Sequence, residues 1–348
     1  MRLQTLYGFK RSVHGLLIRA CDVLNSAVNS PQISVVLCTF NRAASLGKTL
    51  SSFTELVLPP GLSWELIIVD NHSNDNTRAI VEEFARTAPF VVRYVFEERQ
   101  GLSWARNAGI AAAQGDIVAF TDDDVIVDHE WLANVKRGFD EYHCAALAGR
   151  VIPDWLQPKP DWLEMQDQQA VVHFDLGDEW KEIEIPPLGA NFSFRKKVFS
   201  TYGKFRTDLG LSGGQRGITC EDTEFGKRLI LGGEKVVYSP NAIVHHPVYP
   251  HRTTKDFLRT WYYNDGRSAI RAFGWSNGTT CFLGVPRWMY WGVVRNLSSW
   301  MFTLDSKRRF QRELSTYRAM GRIVEARRVA RAGEHKLAEP VRKTPKAA

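Results

Sequence analysis

The stretch DIVAFTDDDV (residues 116–125) is the point from which the rest of the chain can be read. DIVAFTD (residues 116–122) has the apolar, β-branched interior of a strand buried on both faces. It ends on three consecutive aspartates, Asp122, Asp123 and Asp124. Adjacent carboxylates repel one another, and holding three at one strand terminus is costly unless a cation offsets the charge. Upstream, ISVVLCTF (residues 33–40), WELIIVD (Trp64–Asp70) and residues 91–96 read as three more strands. Helical patterns over about residues 44–53, 77–86 and 103–113 separate them. This alternation predicts crossover units, an α/β fold and a mostly parallel sheet flanked by helices. In such sheets ligands bind beyond the carboxyl ends of the strands, where the polar residues of this chain collect.

Downstream of Val151 the rhythm changes. Pro153, Pro158, Pro160, Pro186 and Pro187 bracket an irregular excursion rich in Trp, Asp and Gln. A strand at residues 189–194, a helix over about 222–232 and a strand at 236–238 resume the body, and beyond Thr253 the pattern is helical and basic. The domain reading is therefore an N-terminal extension (residues 1–30), a catalytic body (31–250), a helical, basic, aromatic-rich extension (251–331) and a disordered tail (332–348).

The loops at the strand ends carry the chemistry. Thr39, Asn41 and Arg42 combine small polar groups with one cation, which suits a nucleotide base, ribose or phosphate. Asp70 ends the second strand, where a carboxylate accepts from a base N–H or a ribose hydroxyl. Ser73, Asp75 and Thr77 follow it and read as turn and helix-cap residues, with Asp75 kept as a further site candidate. Gly101 opens a helix with free backbone N–H groups, and Arg106 adds a charge that suits a phosphate or pairs with a carboxylate of the site. The acidic triplet suits a hard divalent cation, magnesium or manganese, that neutralises charge on a leaving diphosphate. Glu221 and Asp222 open a helix; acidic residues are favoured there by the macrodipole, and the functional reading makes Asp222 a general base. His245 and His246 follow a strand-like run (residues 241–244), and a neutral imidazole there suits the metal shell.

Composition narrows the partners. The chain has 348 residues and a formal charge of +7. That figure hides an asymmetry: residues 251–348 hold 20 Lys+Arg against 7 Asp+Glu, whereas residues 1–250 hold 25 against 31. No finger, basic-zipper or RNA-recognition motif accompanies the basic region, so nucleic acid is not the expected partner. CFLGVPRWMYWGVVRNLSSWMF (residues 281–302) is apolar and aromatic, but Arg287 and Arg295 interrupt it. It suits an anionic membrane surface better than a membrane span. Trp261, Trp275, Trp288, Trp291 and Trp300 suit either that interface or packing on the body. Arg2, Lys10, Arg11 and Arg19 break up the N-terminal thirty residues, which read as an amphipathic helix rather than a secretory signal. The cysteines (Cys21, Cys38, Cys144, Cys220, Cys281) lack zinc or redox spacing and read as reduced thiols of a cytoplasmic protein, peripheral on the inner face of the plasma membrane.

Taken in order, VVLCTFNR, ELIIVDNHSNDNT, GLSWARNAG, FTDDDV, GANFSFRKKVF, CEDTEFGKRL and HHP resemble the family 2 glycosyltransferases of bacterial type. The resemblance implies the GT-A fold, Rossmann-like with a mostly parallel central sheet, and an inverting single displacement without a covalent glycosyl-enzyme. It implies that Thr39, Asn41, Arg42 and Asp70 hold the nucleoside and that Arg106 approaches the phosphates. Asp122 and Asp123 would lie on the donor side, Asp124 and His246 would ligate the metal, and Asp222 would act as base. Glu221, Asp75 and His245 stand as further candidates. The donor is expected to be a nucleotide sugar, UDP-linked, and the acceptor a saccharide or polyprenyl-linked glycan of cell-surface or lipid-linked synthesis. The tail lacks long spanning helices and a QxxRW motif, which favours adding one sugar at a time. A catalytically inactive GT-A binding protein and a sugar-phosphate nucleotidyltransferase are the competing readings; the retained acidic triplet and Glu-Asp pair oppose the first. The Thr-Phe-Asn-Arg loop, where the second expects a glycine-rich one, opposes the other.

Overall fold

A computed structural model describes residues 30–164, 170–187, 189–212, 217–276 and 278–333. The expectations for the N-terminal helix and for the tail beyond Gly333 lie outside those residues. The body comprises β1 (Ile33–Thr39), α1 (Ala43–Thr54), β2 (Trp64–Asp70), α2 (Thr77–Thr87), β3 (Val91–Phe96), α3 (Leu102–Ala112) and β4 (Ile117–Asp122). There follow β5 (Ile126–Val127), α4 (Trp131–Glu141), β6 (Ala146–Trp155), β7 (Lys181–Glu182), β8 (Asn191–Arg195), α5 (Val198–Tyr202), α6 (Glu221–Leu231) and β9 (Val236–Val248).

These strands form one sheet in the order β3-β2-β1-β4-β8-β6-β9-β5, with β7 paired to β9. β3, β2, β1 and β4 are mutually parallel; β8 runs against β4 and β6, and β6 and β9 return to the first direction. The sheet is thus mostly parallel. The parallel part follows from the continuous apolar runs, since β2 is buried at every position and can exist only between two covered faces. Alternate residues serve the two layers. Ile33, Val35 and Leu37 of β1 pack with α1, α2 and α4 on one face, while Val36 joins α3 and the aromatic group on the other. That group includes Phe120 stacked on Phe192 at 5.0 Å and Phe199 stacked on Phe225 at 5.1 Å.

The register aligns the strand ends that matter: Thr39 lies opposite Asp70, and Cys38 opposite Asp122. On the other half, β9 runs well past Tyr238, where the sequence suggested a stop. Its pairing with β6 jumps from Gly149↔Ser239 to Arg150↔Ile243, a bulge that absorbs Pro240, Asn241 and Ala242. Asn191 stabilises the bulge by donating to the carbonyls of Ala242 (2.7 Å) and Arg150 (2.9 Å), and it accepts from Trp131 Nε1 at 2.9 Å. Gly149 is required there, because a Cβ would come within 2.2 Å of Asn191 Nδ2.

The remaining elements are a 3-10 turn (Pro250–Thr253), α7 (Lys255–Phe273), the hairpin β10 (Cys281–Phe282) and β11 (Val285–Pro286), α8 (Arg287–Phe302) and α9 (Ser306–Ala332). The extension is therefore helical except for that hairpin, which the sequence did not suggest. Leu258 and Tyr262 of α7 and Phe310 and Leu314 of α9 share an apolar cluster with Leu163 and Val248 of the body. α7 and α9 meet backbone to backbone: a Cβ on Gly266 would lie 2.1 Å from the Arg318 carbonyl, and one on Gly321 2.0 Å from the Tyr263 carbonyl. Beside this contact Glu325, fully buried, receives Arg267, Arg271 and Arg328.

Substituting Gly321→Ala is expected to push these helices apart and cost about 1–3 kcal/mol by overpacking. Gly292→Ala, on α8 with open space around its Cα, is expected to be neutral or to gain up to about 1 kcal/mol from helix propensity. Chemical denaturation of the two variants beside the parent checks this. Equal stability of both would refute the close contact.

Candidate active site

The carboxyl ends of β1 and β2 are tied by their loops into one unit. Asn71 N–H donates to the Thr39 carbonyl at 2.9 Å, Asn41 N–H to Ser73 Oγ at 2.9 Å, and Asn74 N–H to Asn41 Oδ1 at 2.8 Å. Asp75 accepts from Ala43 N–H (3.0 Å) and from Thr77 N–H and hydroxyl (3.0 and 2.5 Å). The Thr77 hydrogen bond above all holds its carboxyl below the usual range. Asp75 is thus a loop and cap residue, as its neighbours suggested. Asp70 is buried and accepts from Ser73 N–H at 2.8 Å and Tyr94 hydroxyl at 2.9 Å. Burial and that carboxylate push the Tyr94 phenol up.

Arg42 leaves this unit and reaches the acidic triplet, 3.8 Å from Asp123 Oδ1 and 3.6 Å from Asp124 Oδ2. Asp122 Oδ, Asp124 Oδ and the His246 ring nitrogen lie within 4.8 Å of one another. His246 is buried, and its Nε2 faces Asp124 Oδ1 at 3.5 Å. Its Nδ1 lies 3.0 Å from the Pro247 carbonyl, a contact satisfied when the proton sits on Nδ1 and Nε2 keeps its lone pair. Burial, opposed by Asp124, lowers the His246 pKa and favours that neutral ring. Two carboxylates and one neutral imidazole are a donor set that fits a divalent cation. Asp122, expected on the donor side as part of the triplet that suits a cation, joins Asp124 and His246 in this group. The His-His-Pro run is part of β9 rather than a turn. Alternation along that strand turns His245 to the opposite face from His246, in register with Ile126, so His245 does not reach the cluster.

Burial pushes Asp123 up to about 7, against Thr39 and Arg42, and Asp122 up to about 6, against Arg106. Thr39 Oγ1, although beside Asp123, is buried without a well-formed hydrogen bond.

On the other side of Asp122 lies Arg106. It is buried, 2.5 Å from Glu221 Oε1 and 3.9 Å from Asp122 Oδ1, with its guanidinium over the Phe192 ring. Burial works against its charge, but Glu221, Asp122 and Asp222 outweigh it and raise its pKa. Of the two readings of Arg106, pairing with a carboxylate is the one the structure shows. Glu221 is buried against it and raised by that burial. Cys220, in the left-handed conformation, starts α6 so that Glu221 turns inward and Asp222 stays half-exposed. Asp222 Oδ1 accepts from Thr223 N–H at 2.6 Å. Its Oδ2 would lie 2.7 Å from a Cβ at position 189, so only glycine fits beneath it.

The family model described as glycosyl transferase family 2 matches residues 34–203. Glycosyltransferase AglE of Haloferax volcanii is 33% identical over 220 residues, spanning 63% of this chain and 68% of that protein. The chain belongs to glycosyl transferase family 2. It is also similar to the succinoglycan biosynthesis protein ExoM of Rhizobium meliloti, 29% identical over 68% of this chain and 73% of the relative. A glucosyl-dolichyl phosphate glucuronosyltransferase of Haloferax volcanii is 28% identical over 65% and 72%. In fold it matches a mannosyltransferase from Pyrobaculum calidifontis, solved with GDP-Man and Mn2+, with a TM-score of 0.51 at 18% identity over 90% of this chain and 78% of that one. The fold is GT-A, and the protein is a glycosyltransferase.

One charged residue of this site escaped the sequence reading. Arg252, in the turn after β9, has no carboxylate within ion-pair distance among the described residues, yet its charge is felt by Asp122 and His246. A cation six residues beyond His246 was the available signal.

The shifts of Asp122 and Asp123 give a pH dependence with a definite sign. Between the ordinary carboxylate range near pH 4 and about pH 7, the folded protein without metal keeps protons that the unfolded chain has released. Its stability therefore falls as pH rises through that window. A divalent cation competes with those protons, so Mn2+ is expected to raise the melting temperature more at about pH 8 than at about pH 5.5. A scanning-fluorimetry titration showing the reverse order would contradict the arrangement.

Proposed function

We propose that this protein is an inverting glycosyltransferase that moves a sugar from a UDP-linked donor to the hydroxyl of a saccharide carried on a polyprenyl lipid. The observation that carries the reading is the joining of two halves by Arg106. The cluster of Asp122, Asp124 and His246 lies on one side of it, and Glu221 and Asp222 lie on the other. In this reading Thr39, Asn41, Arg42 and Asp70 bind the nucleoside end, and Asp122, Asp124 and His246 hold a divalent cation. When bound, the cation supplies positive charge against the leaving diphosphate. Arg42 and Arg252 add to that field, and Arg106 keeps Glu221 and Asp122 neutralised without touching substrate. Asp222 takes the proton from the acceptor hydroxyl, its orientation fixed by Thr223 and by the gap over Gly189. The polyprenyl acceptor is supported by the relative that acts on glucosyl-dolichyl phosphate, and polysaccharide synthesis by the succinoglycan relative.

The test is nucleoside diphosphate release from a panel of sugar nucleotides, with and without Mn2+ or Mg2+. Metal-dependent release from one donor is expected, with Asp222→Asn lowering kcat about 10²–10⁴-fold and Asp124→Ala removing the metal response. Release that survives both changes would reject the assignment, and absence of any metal-dependent donor binding would favour a non-catalytic role.

The same reading puts the enzyme on an anionic bilayer. No helix among the described residues is long and apolar enough to cross a membrane. Trp261 packs against the body and Trp275 is buried, but Trp288, Trp291, Met301 and Phe302 of α8 are exposed, with Phe302 at 79%. Arg287 and Arg295 are exposed on the same helix, which combines apolar insertion with charge attraction. Trp291→Glu with Phe302→Glu is expected to lower co-sedimentation with phosphatidylglycerol vesicles at least tenfold. Unchanged recovery would reject this face as the membrane contact.

A further inference from the structure

Between the excursion after β6 and the first half of α9 lies a cavity of about 1160 Å3. Its wall on the α9 side carries Lys307, Arg308, Arg312 and Arg318. The first three are exposed, and none is within ion-pair distance of a carboxylate among the described residues. Arg318, by contrast, is held 2.6 Å from Asp265 Oδ2 and lies over the Tyr262 ring. Of the acidic groups on the opposite wall, Asp175 is already paired with Arg150. Glu164, half-buried, is the other acidic group on the lining; the cavity still presents three exposed cations to one space, none of them in an ion pair among the described residues, and such a cluster recognises phosphate oxygens.

Two further observations connect this space to its surroundings. Thr303 lines it, and the residues on either side of Thr303 are among the most exposed apolar groups of the molecule, Phe302 at 79% and Leu304 at 97%. An apolar lip thus leads from the outer face of α8 directly to the cations. On the other side, α7, whose Tyr262 lines the cavity, accepts Thr219 N–H on Ser268 Oγ at 3.0 Å, three residues before Asp222.

We infer that this cavity binds the phosphate or diphosphate of the lipid-linked acceptor through Lys307, Arg308 and Arg312, with the first isoprenoid units lying on Phe302 and Leu304. The inference rests on the glycosyl-transfer reading for its direction, since the saccharide must point from the phosphates toward Asp222. It explains why the cations face a concave space instead of being spread over the membrane-facing surface. It also gives the amphiphilic acceptor a path with its tail outside and its charge inside, the order in which such a molecule leaves a bilayer.

The experiment is calorimetric titration of the full chain with farnesyl diphosphate and with inorganic diphosphate, in EDTA so that metal-dependent binding at the acidic cluster is suppressed. Both probes are expected to bind, farnesyl diphosphate at least tenfold more tightly because of the lip. Arg308→Gln with Arg312→Gln is expected to weaken both at least tenfold, and Phe302→Ser to weaken only the farnesyl probe. Asp124→Ala is expected to leave both affinities within twofold. Loss of binding in Asp124→Ala would assign the probes to the donor site and overturn the inference. Binding that ignores the arginine substitutions would overturn it too. If those substitutions abolish binding to phosphatidylglycerol vesicles but spare the soluble probes, the cations serve bilayer headgroups and the acceptor assignment falls. Circular dichroism melts of the surface variants exclude misfolding as the cause. Because the titrations need neither donor nor metal, a failed donor-release assay would reject the transferase reading alone.

Discussion

Everything at the active edge of this protein depends on one buried guanidinium. Arg106 sits on a helix packed against β1 and β2, and without it Glu221 would be a buried carboxylate with no ion-pair partner among the described residues, and Asp122 would lose its nearest counter-charge. The aromatic packing around it makes the requirement stricter, since Phe192 and Phe205 flank the cation and exclude water. That ion pair fixes the direction in which α6 starts. Glu221 is drawn inward, and the next residue on the helix, Asp222, is left half-exposed above Gly189. Arg106 therefore holds its neighbours in place.

The acidic triplet is managed by three different means, which is why it can be so concentrated. Asp122 leans on Arg106 and partly on solvent, Asp123 on Arg42 and a proton, and Asp124 on Arg42 and a neutral imidazole. None of these is a full neutralisation at neutral pH. The residual charge is what a divalent cation meets, and the tautomer enforced on His246 by the Pro247 carbonyl leaves a lone pair aimed at the same point.

The parallel half of the sheet was legible because strands covered on both faces need unbroken apolar runs, and Ile33–Thr39, Trp64–Asp70 and Ile117–Asp122 have them. The mixed half was not, for a physical reason. β9 contains Pro240 and Pro247, which normally end strands, and it continues because a bulge lifts three residues out of the ladder while Asn191 donates to the carbonyls of Ala242 and of Arg150 on β6. No local pattern announces a side chain fifty residues away. α4 and β6 went unread as well, although Trp131 and Phe139 anchor the core. Among the candidate site residues, the sequence singled out the triplet, Glu221-Asp222 and the histidine pair, but not which side chains pair with which. Burial decides whether Arg106 faces a ligand or a carboxylate, and strand alternation decides between His245 and His246; both are properties of the folded chain.

The distribution of thiols has a practical corollary. Burial pushes Cys38 and Cys144 up to about 12 and raises Cys220 as well, so these sulfurs stay protonated and are slow nucleophiles at neutral pH. Cys281 stands exposed on the β10–β11 hairpin, immediately before the aromatic helix. Among the described residues the protein therefore offers a single ready attachment point for a thiol-reactive dye. A dye there would sense the polarity around the hairpin, giving the molecule a built-in optical gauge of what its tryptophan-rich face touches.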